Sequence, residues 1–203
     1  MSNSKVRQYS LSDAPHKPYW RITVKRENDG QNTPAGRISS HLHTAVKTGD
    51  VLLVSAAFGT FTPPLTGDRP LALLSAGVGI TPMVSVLNAL ASDDKRPILF
   101  AHAARDQAHH ALREEVSQAQ ARLPKLTSLT WYEDVKGADP RVVRAGHMAL
   151  SSDLVRPFQE ADFYLCGPLE FMRAQWRSLV ACGVSPERLH REVFGPESLD
   201  HLL

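Results

Sequence analysis

Cysteine is scarce in this sequence: Cys166 and Cys182 are its two thiols. Two thiols exclude a disulfide framework, a four-cysteine zinc site and an iron–sulfur cluster ligated by this chain alone. They make a reducing cytoplasm the expected compartment. Long apolar runs are also missing, so no membrane-spanning segment is expected, and the polar opening MSNSKVRQYS does not read as a signal peptide. Neither sign of charge dominates. Lys and Arg number 23 against 21 Asp and Glu, a net charge of +2 with no basic block, which argues against a nucleic-acid partner. No H-E-x-x-H pattern occurs among the nine histidines. His41 and His43 lack acidic or cysteine neighbours, and His109 and His110 are adjacent, so on a helix they point apart. Solvated or structural histidines are expected, and no metal site.

What is present divides into two parts. Up to about Leu65 the chain reads as short strands joined by loops. In YWRITVKRE (Tyr19–Glu27), Trp20, Ile22 and Val24 alternate with Arg21, Thr23 and Lys25, the period of a half-buried strand. RISSHLHTAV suits a short helix, TGDVLLVSAAFGTF a turn and strand, and TPPLTGDRP a linker. From Pro70 onward, strands and helices alternate. Strands are expected at Leu71–Ser75, Pro97–His102, Leu126–Tyr132, Ala161–Leu165 and Leu189–Phe194. Helices are expected at Pro82–Leu90, Gln107–Leu123 and Pro168–Ala181, with a short one near Ser151–Phe158. Ala108, Ala111, Leu112, Val116 and Ala119 would face inward from the second helix. EDVKGADPRVVRAG reads as a loop. This order implies βαβ units and a doubly wound parallel sheet with helices on both faces. The two parts set domain limits of 1–67 and 68–203.

In such sheets ligands bind beyond the carboxyl ends of the strands, where the strand order reverses. AGVGITP stands at one of these ends. Gly77 and Gly79 permit a tight turn and close approach, and Pro82 suits the first turn of the following helix. Exposed N–H groups there could hold an anion. The pattern is G-x-G-x-x-P rather than G-x-G-x-x-G, and alone it fits a ligand-free corner equally well. A second turn, in YLCGPLEFM, again ends a strand at a helix start, with Gly167 and Pro168 in the turn. Two such turns on one sheet edge outline a cleft. Cys166 is either a small buried apolar residue or a contact to a reacting ring.

RQYSLSD, AGVGITPM, YLCGPLEFM and EVFGP, in this order, resemble the ferredoxin–NADP reductase superfamily, and within it the reductase portion of bacterial flavohemoglobins, the nitric oxide dioxygenases. The likeness runs from Arg7 to Pro196. It implies an antiparallel FAD-binding barrel followed by an NAD-binding α/β domain, and an oxidoreductase that passes hydride from NADH to FAD and electrons onward. It assigns Arg7, Gln8, Tyr9 and Ser10 to flavin. Arg7 would pair with the pyrophosphate, Tyr9 would pack on the flavin and Ser10 would hydrogen-bond near the hydride-accepting atom. GRISSHL resembles the second flavin segment, which brings in Ser39 and Ser40. Gly77, Val78, Gly79, Ile80, Thr81 and Pro82 match the pyridine-nucleotide loop, and Cys166, Gly167 and Pro168 the segment beside the nicotinamide. Glu192, Val193, Phe194, Gly195 and Pro196 match the C-terminal flavin contact, with Val193 where the family often has cysteine. Ser10, Cys166 and Glu192 are the implied catalytic residues.

The resemblance covers neither a globin domain nor the first barrel strands, since only six residues precede Arg7. It therefore implies no haem in this chain and a truncated barrel. A flavin-poor nucleotide-binding fragment and a half-domain completed by a partner chain are the alternatives. In the family's fold, HAARDQ (His102–Gln107) lies near the adenine ribose. Asp106 there favours NADH by repelling a 2′-phosphate, while Arg105 beside it would favour NADPH. The electron acceptor, protein or small molecule, is not specified by these residues.

Overall fold

LALLSA, Leu71–Ala76, has no polar side: all six residues are buried, as in a strand covered on both faces. It forms β1 of a parallel sheet with β2 (Ile98–Ala104), β3 (Leu126–Tyr132), β4 (Val143–Ala145), β5 (Asp162–Cys166) and β6 (Leu189–Glu192). The computed structural model describes residues 6–30 and 34–193. Strand order is β4-β3-β2-β1-β5-β6, so the order reverses between β1 and β5. The helices are α1 (Arg37–Thr44), α2 (Ile80–Ala89), α3 (Arg113–Arg122), α4 (Ser152–Val155) and α5 (Leu169–Ala181).

Alternation along the strands feeds two cores. Leu71, Leu73, Ile98, Phe100 and Tyr164 pack with Met83 and Leu87 of α2 and Val116 and Ala119 of α3. Ala72, Leu74, Leu99, Phe163 and Leu165 pack with Val155, and with Met172 and Leu179 of α5. Glu114, Glu115 and Arg122 match the dipole of α3. Arg122 also donates to the carbonyls of Leu90, at 2.6 Å, and Leu87, closing the end of α2. After α5, the N–H groups of Gly183 and Val184 return to the carbonyls of Val180 and Leu179.

Three expectations need correction. The helix expected over Gln107–Leu123 is split. Asp106 caps a short 3₁₀ turn, Gln107–His109, by accepting from the His109 N–H. Leu112 then takes a left-handed φ of 54° before α3 begins, and Ala108 and Ala111 are exposed. At this break His110 turns inward and is buried against Tyr132 instead of lying on a helical face. Second, the loop expected around 133–146 contains the short strand β4. Third, the strands expected in Tyr19–Glu27 and after Val51 do not form. The described residues before β1 carry α1 and one antiparallel bridge, Leu11 with Ile22. Apolar alternation yields a strand only against a partner and a covering face, and Trp20 (53%) and Leu53 (100%) stand exposed.

The inward turn of His110 builds a buried polar cluster. His110 Nδ1 lies 2.7 Å from the Tyr132 hydroxyl, and His102 Nδ1 lies 2.9 Å from Ser75 Oγ. The two imidazoles are 4.5 Å apart, and neither Nε2 has a hydrogen-bond partner among the described residues. Burial, with Arg113 a lesser contributor, lowers the His110 pKa to about 4. Burial and the neighbouring His110 lower that of His102 as well. Both groups are neutral when folded and would take up protons on unfolding, so stability present above pH 6.5 is lost as pH falls toward about 4. The shift of His110 corresponds to about 3 kcal/mol. Denaturation curves are therefore expected to show lower stability at pH 5 than at pH 7, with a shallower dependence in His110→Asn. Equal stability at both values would contradict a buried neutral pair.

Candidate active site

The turns after β1 and β5 meet at the point where the strand order reverses. The chain leaves β1 through a 3₁₀ turn, Gly77–Gly79, that runs into α2. Gly77 has φ +54°, and a Cβ there would meet nothing within 4 Å among the described residues, so the residue is required by conformation and leaves the turn open on that side among them. Gly79 has an ordinary helical φ of −62°. Its constraint is contact: a Cβ would lie 2.1 Å from the Cys166 carbonyl oxygen and 2.7 Å from the Gly167 nitrogen. The β1 turn thus packs backbone to backbone on the β5 turn. Ile80 and Pro82 are buried and serve this packing, while Val78 is exposed on the turn.

A cleft of about 820 Å³ opens beside this corner. Arg7, Gln8, Tyr9 and Ser10 line one side, Gly36, Arg37, Ile38 and Ser39 another, and Val78 and Thr81 the sheet edge. Thr23, Lys25 and Glu27 complete it. Three segments singled out in the sequence therefore share one cavity. Alternation marks a strand but not which polar residues face a cavity, so it does not single out Thr23, Lys25 and Glu27, and in GRISSHL the resemblance brings in the two serines but not Arg37. At the start of α1 no side chain caps the helix and no acid occupies the first turn. Its free N–H groups, with Arg37, make an anion-favouring end. Ser39 Oγ donates to the Gly36 carbonyl and accepts from the Glu27 N–H, so its hydroxyl is already engaged. Ser40 does not line the cleft, and its Oγ is buried with no hydrogen-bond partner among the described residues.

Ser10, from the front segment, donates to Glu192 Oε1 of β6 at 3.2 Å. Burial raises the Glu192 carboxyl pKa and the bond from Ser10 opposes that shift. Glu192 pairs in register with Cys166. The Cys166 side chain is fully buried in the core against α2 and does not line the cleft. Burial first, and Glu192 second, push its thiol far above the ordinary range, so it remains protonated. The apolar reading of Cys166 describes its side chain, while its carbonyl forms the contact with Gly79. Gly167 is confined by Phe171 and Ala76, and Pro168 precedes α5 on the exposed side of the turn. Asp106 Oδ1 accepts from the N–H of His109 and lies 2.7 Å from its Nδ1. The His109 side chain holds the Asp106 carboxyl below the usual carboxylate range. Val193 is half-buried beside the core. Phe194, Gly195 and Pro196 lie outside the described residues.

The oxidoreductase NAD-binding domain family matches residues 73–176, just over half of the chain. This chain belongs to that family. It is 46% identical over 197 residues to a flavohemoprotein of Bordetella pertussis, covering 93% of this chain and 48% of the relative. The chain thus spans about half the length of the curated relatives it matches. Among solved structures it is similar to the flavohem-like FAD/NAD-binding domain of nitric oxide dioxygenase from Vibrio cholerae. That match has 37% identity and a TM-score of 0.76, and covers 95% of this chain and 78% of the other. A cytochrome P450 reductase of Amycolatopsis matches at 25% identity and a TM-score of 0.76, covering 96% of this chain and 58% of the other.

Within this family frame, the two glycines of the β1 turn should respond differently to substitution. Gly79→Val must displace backbone at the Cys166 carbonyl, so a loss of about 1–3 kcal/mol or more in denaturation is expected. Ligand binding would then fall as a consequence of lost folding. Gly77→Ala meets no atom and should cost about 1–2 kcal/mol, through its left-handed φ alone. A Gly79→Val protein as stable as the parent would contradict the contact.

Proposed function

We propose that this chain is the reductase part of a flavohemoprotein-type system, an FAD-dependent oxidoreductase that takes hydride from NADH and delivers electrons to an acceptor. The observation that carries this reading is the convergence of Arg7–Ser10, the start of α1, and Val78 and Thr81 on one cleft. The assignment divides the chain into a flavin-binding part, 1–67, and a nucleotide-binding part, 68–203. The acceptor we propose is haem held by a globin domain, in the context of nitric oxide dioxygenation; the flavohemoprotein relatives support this reading.

The residues fit the two ligands. Arg7 and the start of α1 offer paired donors to a pyrophosphate, Tyr9 offers a ring face and Ser10 a hydroxyl at the Glu192 end. The space over Gly77 admits a second phosphate-bearing ligand at the sheet edge. When bound, a flavin supplies the exchange between two-electron and one-electron transfer. Ser10 would present its hydroxyl at the ligand's reacting edge, hydrogen-bonded to Glu192, whose carboxyl pKa burial raises. Cys166 supports the corner from below. An Asp106 kept ionised by His109 favours ribose hydroxyls over a 2′-phosphate, and hence NADH over NADPH.

A second reading, that the flavin part is completed by a partner chain, is favoured by one observation. Val51, Leu53, Val54 and Phe58 stand largely exposed in a segment with strand-like composition.

The test is anaerobic reduction of the FAD-loaded chain by NADH, followed by stopped flow, with the sample's mass measured by light scattering. The parent is expected to bind FAD and be reduced, faster with NADH than with NADPH. Ser10→Ala should retain FAD but lose rate by an amount equivalent to about 2–4 kcal/mol. Reduction of Ser10→Ala at the parent rate would remove Ser10 from the site. A folded chain that binds NADH but never FAD would overturn the reductase reading for the isolated chain, and FAD binding confined to an assembly with another chain would establish the second reading.

A further inference from the structure

Asp13 is a buried carboxylate that the site described above does not use. It lies three residues beyond Ser10 and is 4% exposed. Its Oδ2 accepts from Lys17 Nζ at 2.9 Å and from the Tyr19 hydroxyl at 3.1 Å. Its Oδ1 accepts from the Ala14 N–H at 2.8 Å and from Asn88 Nδ2 of α2 at 3.0 Å. Its carbonyl accepts from Ser85 Oγ of α2 at 2.8 Å. Burial opposes ionisation of this carboxyl, but the bonds from Lys17, Ala14, Asn88 and Tyr19 together hold it well below the ordinary carboxylate range. Alongside, Arg21 donates to the Ser12 carbonyl and to Glu115 of α3.

The placement has a consequence. α2 grows directly out of the Gly77–Gly79 turn, so its axis is fixed by the Gly79 contact with β5. Asp13 grips that helix two turns further on, through Ser85 and Asn88, and the segment it holds is continuous with Arg7–Ser10. One rigid helix therefore links the segment that would hold flavin to the turn that would hold the pyridine nucleotide.

We propose that Asp13 is a positioning residue that fixes the separation between Arg7–Ser10 and the Gly77–Thr81 turn, and thereby sets the rate of hydride passage, without touching either ligand. The inference rests on the reductase reading. Transfer between two bound rings depends steeply on their spacing, whereas each ring's affinity depends on its own segment.

The test is the double variant Ser85→Ala/Asn88→Ala, which removes both bonds from α2 to Asp13 while keeping good helix formers. Asp13→Asn serves as a second variant that removes the charge. FAD and NADH dissociation constants are expected to stay near parent values. The limiting rate of flavin reduction at saturating NADH should fall about tenfold to a hundredfold, and the long-wavelength flavin–nicotinamide charge-transfer absorbance should weaken. Ser85→Thr, which keeps the hydroxyl, should retain most of the rate in an otherwise parental chain. An unchanged limiting rate in both variants, or equal loss of both affinities together with thermal stability, would overturn the proposal. If the FAD-loaded parent itself is not reduced by NADH, the reductase reading fails first and the proposal with it. A parent that is reduced and variants that match it would fail the proposal alone.

Discussion

The architecture depends on one short contact, the backbone of Gly79 against the Cys166 carbonyl and the Gly167 nitrogen. A parallel sheet whose strand order reverses between β1 and β5 leaves a crevice there by topology alone. Whether the crevice becomes a single corner or two unrelated turns depends on how closely the turns approach. A side chain at position 79 would occupy the space of the Cys166 carbonyl, so glycine is what allows α2 to begin directly beside the start of α5. That juxtaposition sets the axis of α2, and the apolar residues of α2 and of β1 then close the core on that side.

The front part of the chain uses this platform rather than a core of its own. Asp13 and Arg21 dock it onto α2 and α3 through charged and polar bonds, and Ser10 reaches β6 through Glu192. Bonds of this kind are directional, so they fix position more than they add stability. The cleft lies between these anchors and α1. Its chemistry follows from placement: Arg7, Lys25 and Arg37 bring donors to its wall, and Val78 and Thr81 line the sheet edge.

Much of the sheet was legible because continuous burial leaves a plain signature. Leu71–Ala76 and Asp162–Cys166 carry apolar residues on both faces, and the break to helical spacing at Ile80 marks the turn. The four motifs identified the family, and three of them carry segments that line or abut one corner. Other features were not legible, for physical reasons. His110 abandons its helix for Tyr132, a tertiary hydrogen bond that no local pattern encodes. Gly79 reads as a flexible turn residue, yet its constraint comes from a strand some ninety positions away. Asp13 lies inside the quoted RQYSLSD segment, but its burial depends on Asn88 and Ser85, which are remote in sequence. In the front part, alternation at Trp20, Ile22 and Val24 signalled a strand that the described residues pair only at the Leu11–Ile22 bridge.

The claim that the two turns form one nucleotide seat is tested most directly by amide hydrogen exchange of the folded chain, with and without saturating NADH. The account predicts that amides in 77–81 and in 167–171 gain protection together, while those of the central strand at 98–101 are unchanged. Protection confined to one turn, or gained elsewhere while both turns exchange as before, would contradict it.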